Sequence, residues 1–320
     1  VQVRGRFADD FFNVPMTSSG VAPKIRDVMP EVQAITRIEK QGQGILSYQY
    51  VKFYEKKIYF VDTTFFDVFT LEWAQGDPSQ CFSDPNSIVM TESVARKYFG
   101  NENPMGKTIR FNNDRPLMVT GILKDLPGNT HLNFDILVPV RVLLLERGQT
   151  NYDHEFGNIF LYTYVRFASQ INEDEVNEKI RMLIHDAFGE DADLVNLEMI
   201  PYIFPLSRIH LHSNLMGELE PSSNISYIYT FSAIAIFILG IACINFMNLA
   251  TARASRRARE VGLRKVSGAT RSQLVNQFLG ESILLGLFAG ILAVILAELS
   301  FPLFNEMTGL TLGFAEYRWA

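Results

Sequence analysis

From Ile225 to Phe304 the chain reads ISYIYTFSAIAIFILGIACINFMNLA, then TARASRRAREVGLRKVSGATRSQLVNQ, then FLGESILLGLFAGILAVILAELSFPLF. The first and last of these segments, residues 225–250 and 278–304, each exceed the roughly 20 apolar residues a helix needs to cross about 30 Å of hydrocarbon. The middle segment, residues 251–277, carries Arg253, Arg256, Arg257, Arg259, Arg264, Lys265 and Arg271 against one acid, Glu260. Dense Lys and Arg between two closely spaced spans marks the cytoplasmic face. Residues 1–224 are therefore expected outside the cytoplasm, and residues 305–320 are expected to begin another external loop. The pattern predicts a membrane protein with a large external domain.

The bulk averages conceal this. Hydrophobic residues make up 48 % of the 320, an ordinary globular value. The charge is unevenly spread: residues 1–224 hold 21 Lys and Arg against 30 Asp and Glu, a net of −9. That acidic external part speaks against a nucleic-acid partner. It is large enough to bury a core of its own. Cys81 falls in the external part and Cys243 in the first span, so no disulfide framework is expected and the core must be an ordinary apolar one. The chain opens at Val1 without a recognisable export signal, so a preceding membrane helix is expected in a longer parent, with further helices after residue 320.

Residues 1–224 read as α+β, a mixed domain of two lobes with a boundary expected near residues 130–160. Strands are expected at Lys57–Val61, Ser87–Met90, Lys107–Phe111, Leu117–Leu123, Phe134–Val138, Phe160–Phe167, Leu197–Ile203 and Arg208–His212, from their β-branched and aromatic content. Thr91–Phe99 reads as a short helix capped by Thr91 and closed by Gly100. Glu173–Phe188 has helical spacing through Val176, Ile180, Leu183, Ile184 and Phe188, with acids in its first turn. Within the basic segment, Ala254–Val266 suits a separate amphipathic helix, ended by Gly268. Thr270-Arg271-Ser272-Gln273 is a capping-box pattern that starts a new helix running through Leu274, Val275 and Phe278 into the second span.

Few residues suggest chemistry. Gly100–Thr108 (GNENPMGKT) resembles a phosphate-binding loop, but five residues separate Gly100 from Gly106 where that pattern has four. It also follows a helix and opens a strand, the reverse of the required order, so it is read as a turn. His210 and His212 lack the third and fourth ligands of a metal site and are read as exposed strand residues. His131, His154 and His185 are scattered, and no nucleophile–base set stands out. Glu281 and Glu298 lie in the second apolar stretch, where an acid is a candidate transport residue. Both are close enough to its ends to reach headgroups or water, and that reading is preferred. Neither catalysis, a metal nor a cofactor is assigned to the chain.

The ordered Gly, Thr and Val pattern inside the basic segment is more than a topology signal. Arg257–Thr270 (RAREVGLRKVSGAT), followed by Gln277-Phe278-Leu279-Gly280-Glu281-Ser282, resembles the MacB/FtsX superfamily of ABC transporter permeases. That family carries a motif close to R-x-K/R-E-I/V-G-I/L-R-K-x-x-G-A after its second membrane helix, then a helix with Q-F-x-x-E-S. The match falls on Arg257, Arg259, Glu260, Val261, Gly262, Leu263, Arg264, Lys265, Gly268 and Ala269. Ser267 departs from it, standing where an apolar residue is more usual. Ser87–Gly106 and its surroundings resemble the family's periplasmic core domain, and the style is similar to the long, duplicated permeases of Bacteroidetes-type bacteria.

The resemblance implies a bacterial inner-membrane permease subunit. Its parts would be a periplasmic MacB-like core domain over 1–224, membrane helices over 225–250 and 278–304, a cytoplasmic coupling segment over 251–277, and an FtsX-like permease region over about 225–320. It implies a partner ABC ATPase that binds the ATP and Mg, and a homodimer or a pseudo-dimer with a second permease half. Motion driven by that ATPase would reach the periplasmic domain for export or extraction of a substrate. A periplasmic adaptor would fit that role. Two other readings stay open: an FtsX-like regulator of a cell-wall hydrolase that transports nothing, and a membrane-anchored sensor. A sensor would be expected to continue its span into a signalling helix instead of returning across the membrane.

Overall fold

The computed structural model describes residues 1–7, 10–40, 43–112, 115–127, 130–147, 152–156, 158–188, 197–213, 215, 217–220, 224–268, 270–308 and 313. They form two compact units, Val1–Tyr227 and Ile228–Ala320. In the first, β1 (Gln2–Phe7), β2 (Asp10–Val14) and β3 (Thr17–Ser18) precede helix α1 (Val21–Val28). Strands β4 (Val32–Lys40), β5 (Gly44–Tyr48), β6 (Val51–Glu55) and β7 (Ile58–Val61) follow, then the one-turn helix α2 (Phe65–Val68). Next come β8 (Trp73–Gly76), β9 (Ser87–Thr91), α3 (Glu92–Phe99), β10 (Thr108–Phe111), β11 (Arg115–Leu123), β12 (Ile136–Pro139) and α4 (Val140–Arg147). The unit ends with β13 (Ile159–Phe167), α5 (Glu173–Phe188), β14 (Leu197–Tyr202) and α6 (Leu206–His212).

One large sheet runs β3-β13-β4-β7-β12-β9-β11-β10-β5-β6, with β8 paired to β11. A smaller antiparallel sheet runs β14-β1-β2. The large sheet is mixed: β12 lies parallel to β7 and β11 parallel to β9, while the other pairs among the described residues are antiparallel. Its middle strands show why apolar runs and alternating runs differ. Every residue of β7, β9 and β12 is buried, because core lies on both faces. Strand β10 alternates instead: Ile109 and Phe111 point into the core while Thr108 and Arg110 are exposed. One apolar cluster gathers Leu46, Phe60, Met90, Tyr98, Phe99 and Phe111. The opposite cluster is built on Tyr59, Phe65 and Phe134, with ring centroids 5.5 and 6.0 Å apart across Phe134. Helix α1 packs on β4 and α5 packs on α1 and β14, and Ile25, Ile35, Val176, Ile180 and Ile184 form their shared apolar cluster.

The α+β class and the strands at β7, β9–β14 follow from the sequence. Three expectations do not hold. The boundary near residues 130–160 runs through a sheet: β12 pairs with β7 and β9, and β13 pairs with β4, so the segments before and after it share hydrogen bonds. Arg208–His212 is not a strand but the larger part of α6; Pro205 precedes the helix, Ile209 turns inward and the Ser213 N–H donates to the Ile209 carbonyl at 3.1 Å. His210 and His212 are accordingly exposed helix residues. Thr91 does precede α3, but its hydroxyl is buried without a hydrogen-bond partner. The cap comes from a distant residue: Asp125 accepts the Ser93 N–H at 3.0 Å and the Ser93 hydroxyl at 2.6 Å.

Outside that domain the chain forms two long helices, α7 (Ile225–Val266) and α8 (Arg271–Thr308). Residues 225–253 and 271–307 are long and apolar enough to cross a membrane, with mean hydropathy 2.2 and 2.4. The separate amphipathic helix expected over 254–266 is instead the continuation of α7, without a break after residue 250. The physical reason is local: Thr251–Lys265 contains no proline, and its single glycine, Gly262, is tolerated within a long helix.

Candidate functional site: the basic arm

Of the residues singled out in the basic segment, 257–265 lie on the last turns of α7. The side chains of 254–260, and Ala269 altogether, lie outside the described residues, so Arg257, Arg259 and Glu260 are placed by backbone only. Arg264 and Lys265 sit in the final turn, where cations face the negative end of the helix dipole. Leu263 and Val266 are 67 % and 89 % exposed, an apolar pair left uncovered by the described residues. A Cβ built at Gly262 would meet nothing within 4 Å, so no internal packing demands a glycine there.

The turn that follows is specified residue by residue. Gly268 has φ +90°, which an L side chain rarely adopts, and its N–H donates to the Lys265 carbonyl at 3.1 Å. The Ser267 N–H donates to the Leu263 carbonyl at 3.0 Å. Thr270 and Gln273 then form a reciprocal capping box: the Thr270 N–H donates to Gln273 Oε1 at 3.0 Å, and the Gln273 N–H to Thr270 Oγ1 at 3.4 Å. A side-chain bond crosses the turn, from the Arg264 guanidinium to Gln277 Oε1. Leu274, one turn into α8, is buried at 6 % exposure. Gln277 and Leu274 carry no role in a reading of the basic motif alone. The turn, not a local sequence pattern, brings Arg264 to Gln277.

The other candidates disperse. The Gly100–Thr108 segment follows α3 and opens β10, and its backbone donors are already committed. The Gly106 N–H donates to the Val119 carbonyl at 2.8 Å, Lys107 N–H to Pro104 at 3.1 Å, and Met105 N–H to Asn103 Oδ1 at 3.2 Å. A phosphate cradle needs such groups free and convergent. The Lys107 ammonium pairs with Glu102 and lies 5.5 Å from the Phe99 ring centroid. Glu281 is half-buried and Glu298 exposed on α8. Among the described residues no group of three or more His, Cys, Asp or Glu could hold a metal ion.

Two family models match the chain. The model of the MacB-like periplasmic core domain matches residues 2–183, and that of the FtsX-like permease C-terminal matches residues 232–317. The chain is 25 % identical over 275 residues to the macrolide export ATP-binding/permease protein MacB of Aggregatibacter actinomycetemcomitans, covering 83 % of this chain and 38 % of that protein. It is 31 % identical over 213 residues to the MacB protein of Chlorobium luteolum, covering 65 % of this chain and 29 % of that protein. The chain thus spans well under half the length of these relatives. A solved domain of a permease protein from Porphyromonas gingivalis superposes with a TM-score of 0.55 at 22 % identity, covering 64 % of this chain and 87 % of that one. That likeness concerns the fold of the external domain.

Proposed function

Because the chain belongs to the MacB/FtsX-type ABC transporter permeases, an inner-membrane family with a periplasmic domain, we propose that it transmits the motion of a cytoplasmic ABC ATPase to its periplasmic domain, for export or extraction of a substrate. The basic arm would be the docking element. ATP and Mg would be bound by the ATPase, and the permease would work as a homodimer or beside a second permease half, within the bilayer. A periplasmic adaptor or a hydrolase would be its external partner.

The observation that carries this reading is that span and arm are one helix, α7, closed by a capped turn. A push on the exposed Leu263–Val266 end acts on a rigid rod that enters the membrane without a hinge. The bare surface at Gly262 lets a partner approach the backbone closely, and the cationic residues around it favour an acidic groove.

The test is co-purification of the ATPase with the full-length protein, and hydrolysis by that complex. Glu260→Lys, the double change Arg264→Glu with Lys265→Glu, and Gly262→Trp should each release the ATPase while the periplasmic domain keeps its native circular dichroism. Loss of a buried polar docking contact costs about 2–5 kcal/mol, at least a 30-fold weaker complex. Retention of the ATPase and of normal hydrolysis in all three would leave the arm as a topology signal only.

A further inference from the structure

Five residues before α7 begins, the chain is pinned to the sheet of the periplasmic domain. Glu220 Oε1 accepts hydrogen bonds from the Tyr59 hydroxyl and from Lys40 Nζ, both at 3.1 Å. Its Oε2 accepts one from Asn133 Nδ2 at 3.0 Å. Lys40 Nζ donates as well to the Leu219 carbonyl, and the Tyr162 hydroxyl to the Gly217 carbonyl at 2.6 Å. Between these bonds the Leu219 side chain is fully buried in the cluster that contains Ile38, Tyr59 and Phe134.

The donors come from neighbouring parts of one sheet. Tyr162 is on β13, Lys40 on β4 and Tyr59 on β7, three strands that lie side by side, and Asn133 precedes β12, the next in order. A carboxylate held by an ammonium and two neutral donors cannot swing away without stripping all three, and the buried leucine beside it cannot leave without exposing its apolar surface. The tether from Glu220 to Ile225 is short, at most about 18 Å when fully extended.

Resting on the reading of the chain as a motion-transmitting permease, we infer that Gly217–Glu220 is the anchor that delivers movement of the first long helix to strands β13, β4 and β7. Movement of α7 would arrive first at Glu220 and Leu219, and the sheet would receive it across several strands at once. Residues elsewhere in the domain, such as α3 and β10, would follow only through the sheet.

Hydrogen exchange on the full-length protein in lipid nanodiscs, with its co-purified ATPase, tests this. Exchange is read over residues 32–40, 58–61 and 159–167, without nucleotide and with ATP plus vanadate. Two variants are compared with the unaltered protein: Glu220→Ala, and an insertion of six Gly/Ser residues between Glu220 and Asn224. The insertion leaves every anchor contact in place and slackens only the tether. The unaltered complex should show a nucleotide-dependent change in those strands. Both variants should keep the bound ATPase and lose that change, and in Glu220→Ala the 217–220 amides should exchange at least tenfold faster. If the change persists in the insertion variant, the anchor inference is wrong and the permease reading stands. If the unaltered complex shows no change, motion transmission itself fails and the anchor falls with it.

Discussion

Opening the turn between α7 and α8 is the sharpest test of how the arm is held. The perturbation is Gly268→Val combined with Thr270→Ala. At φ +90° Gly268 lies beyond the left-handed basin open to L residues, and even within that basin a side chain costs about 1–2 kcal/mol. Removing the Thr270 hydroxyl takes away one half of the capping box, typically about 1 kcal/mol. The two changes share one turn and need not add fully. Together about 2–3 kcal/mol is expected, which is about a 30- to 150-fold rise in the open population. The assay is amide hydrogen exchange under conditions that report the opening equilibrium. Ser267, Thr270 and Gln273, whose N–H groups bond to Leu263, Gln273 and Thr270, should exchange faster by about that factor. Amides in the middle of α8, around Ile291–Ile295, should not change. An increase below threefold at Gln273 would refute the reasoning, since it would mean that something other than these caps holds the turn.

Two further expectations concern the periplasmic domain. His131 is held below its ordinary value of 6.5 by burial, with a smaller lowering from His210, while Glu220 acts in the opposite direction. A histidine with a depressed folded value contributes stability above pH 6.5 that is lost as the pH falls through the folded value. The urea midpoint of the protein should therefore drop more between pH 7 and pH 5 than that of His131→Gln, and equal drops would count against the burial argument. Lys107→Ala should change stability by no more than about 0.5 kcal/mol, and titration calorimetry with Mg-ATP should show no saturable binding in either form. Binding that vanishes in the variant would reveal a nucleotide site in the Gly100–Thr108 turn.

Much of the local structure was legible because its signals lie within a few residues of one another. Glu173–Phe188 is a helix with the expected buried stripe of Val176, Ile180 and Ile184. Thr270 and Gln273 meet as their spacing requires. The misread segments share a different cause. Ile209-His210-Leu211-His212 alternates like a strand, yet over so few residues that pattern also fits one helical turn, and burial of Ile209 decides between them. At α3 the expected cap was the adjacent Thr91, but the donor–acceptor match was completed by Asp125, over thirty residues away in the chain. Arg37 was invisible as a structural residue, although it is buried and bonded to Asp62 at 2.8 Å and to Asp153 at 2.7 Å.

The sequence by itself determined which two stretches are long and apolar enough to cross a membrane, how the basic residues cluster between them, and the caps made by Gly268, Thr270 and Gln273. Each of these follows from hydropathy, charge or backbone chemistry within a single segment. Only the tertiary structure decided that residues on both sides of 130–160 share one sheet, that Arg264 reaches Gln277, and that Leu219 and Glu220 fold back onto Tyr59, Lys40 and Asn133. The reason is that a hydrogen-bond partner or a buried neighbour is chosen by the path of the whole chain. The Glu-Leu-Glu stretch between Gly217 and Pro221 carries no local pattern that names the strands it will be fastened to.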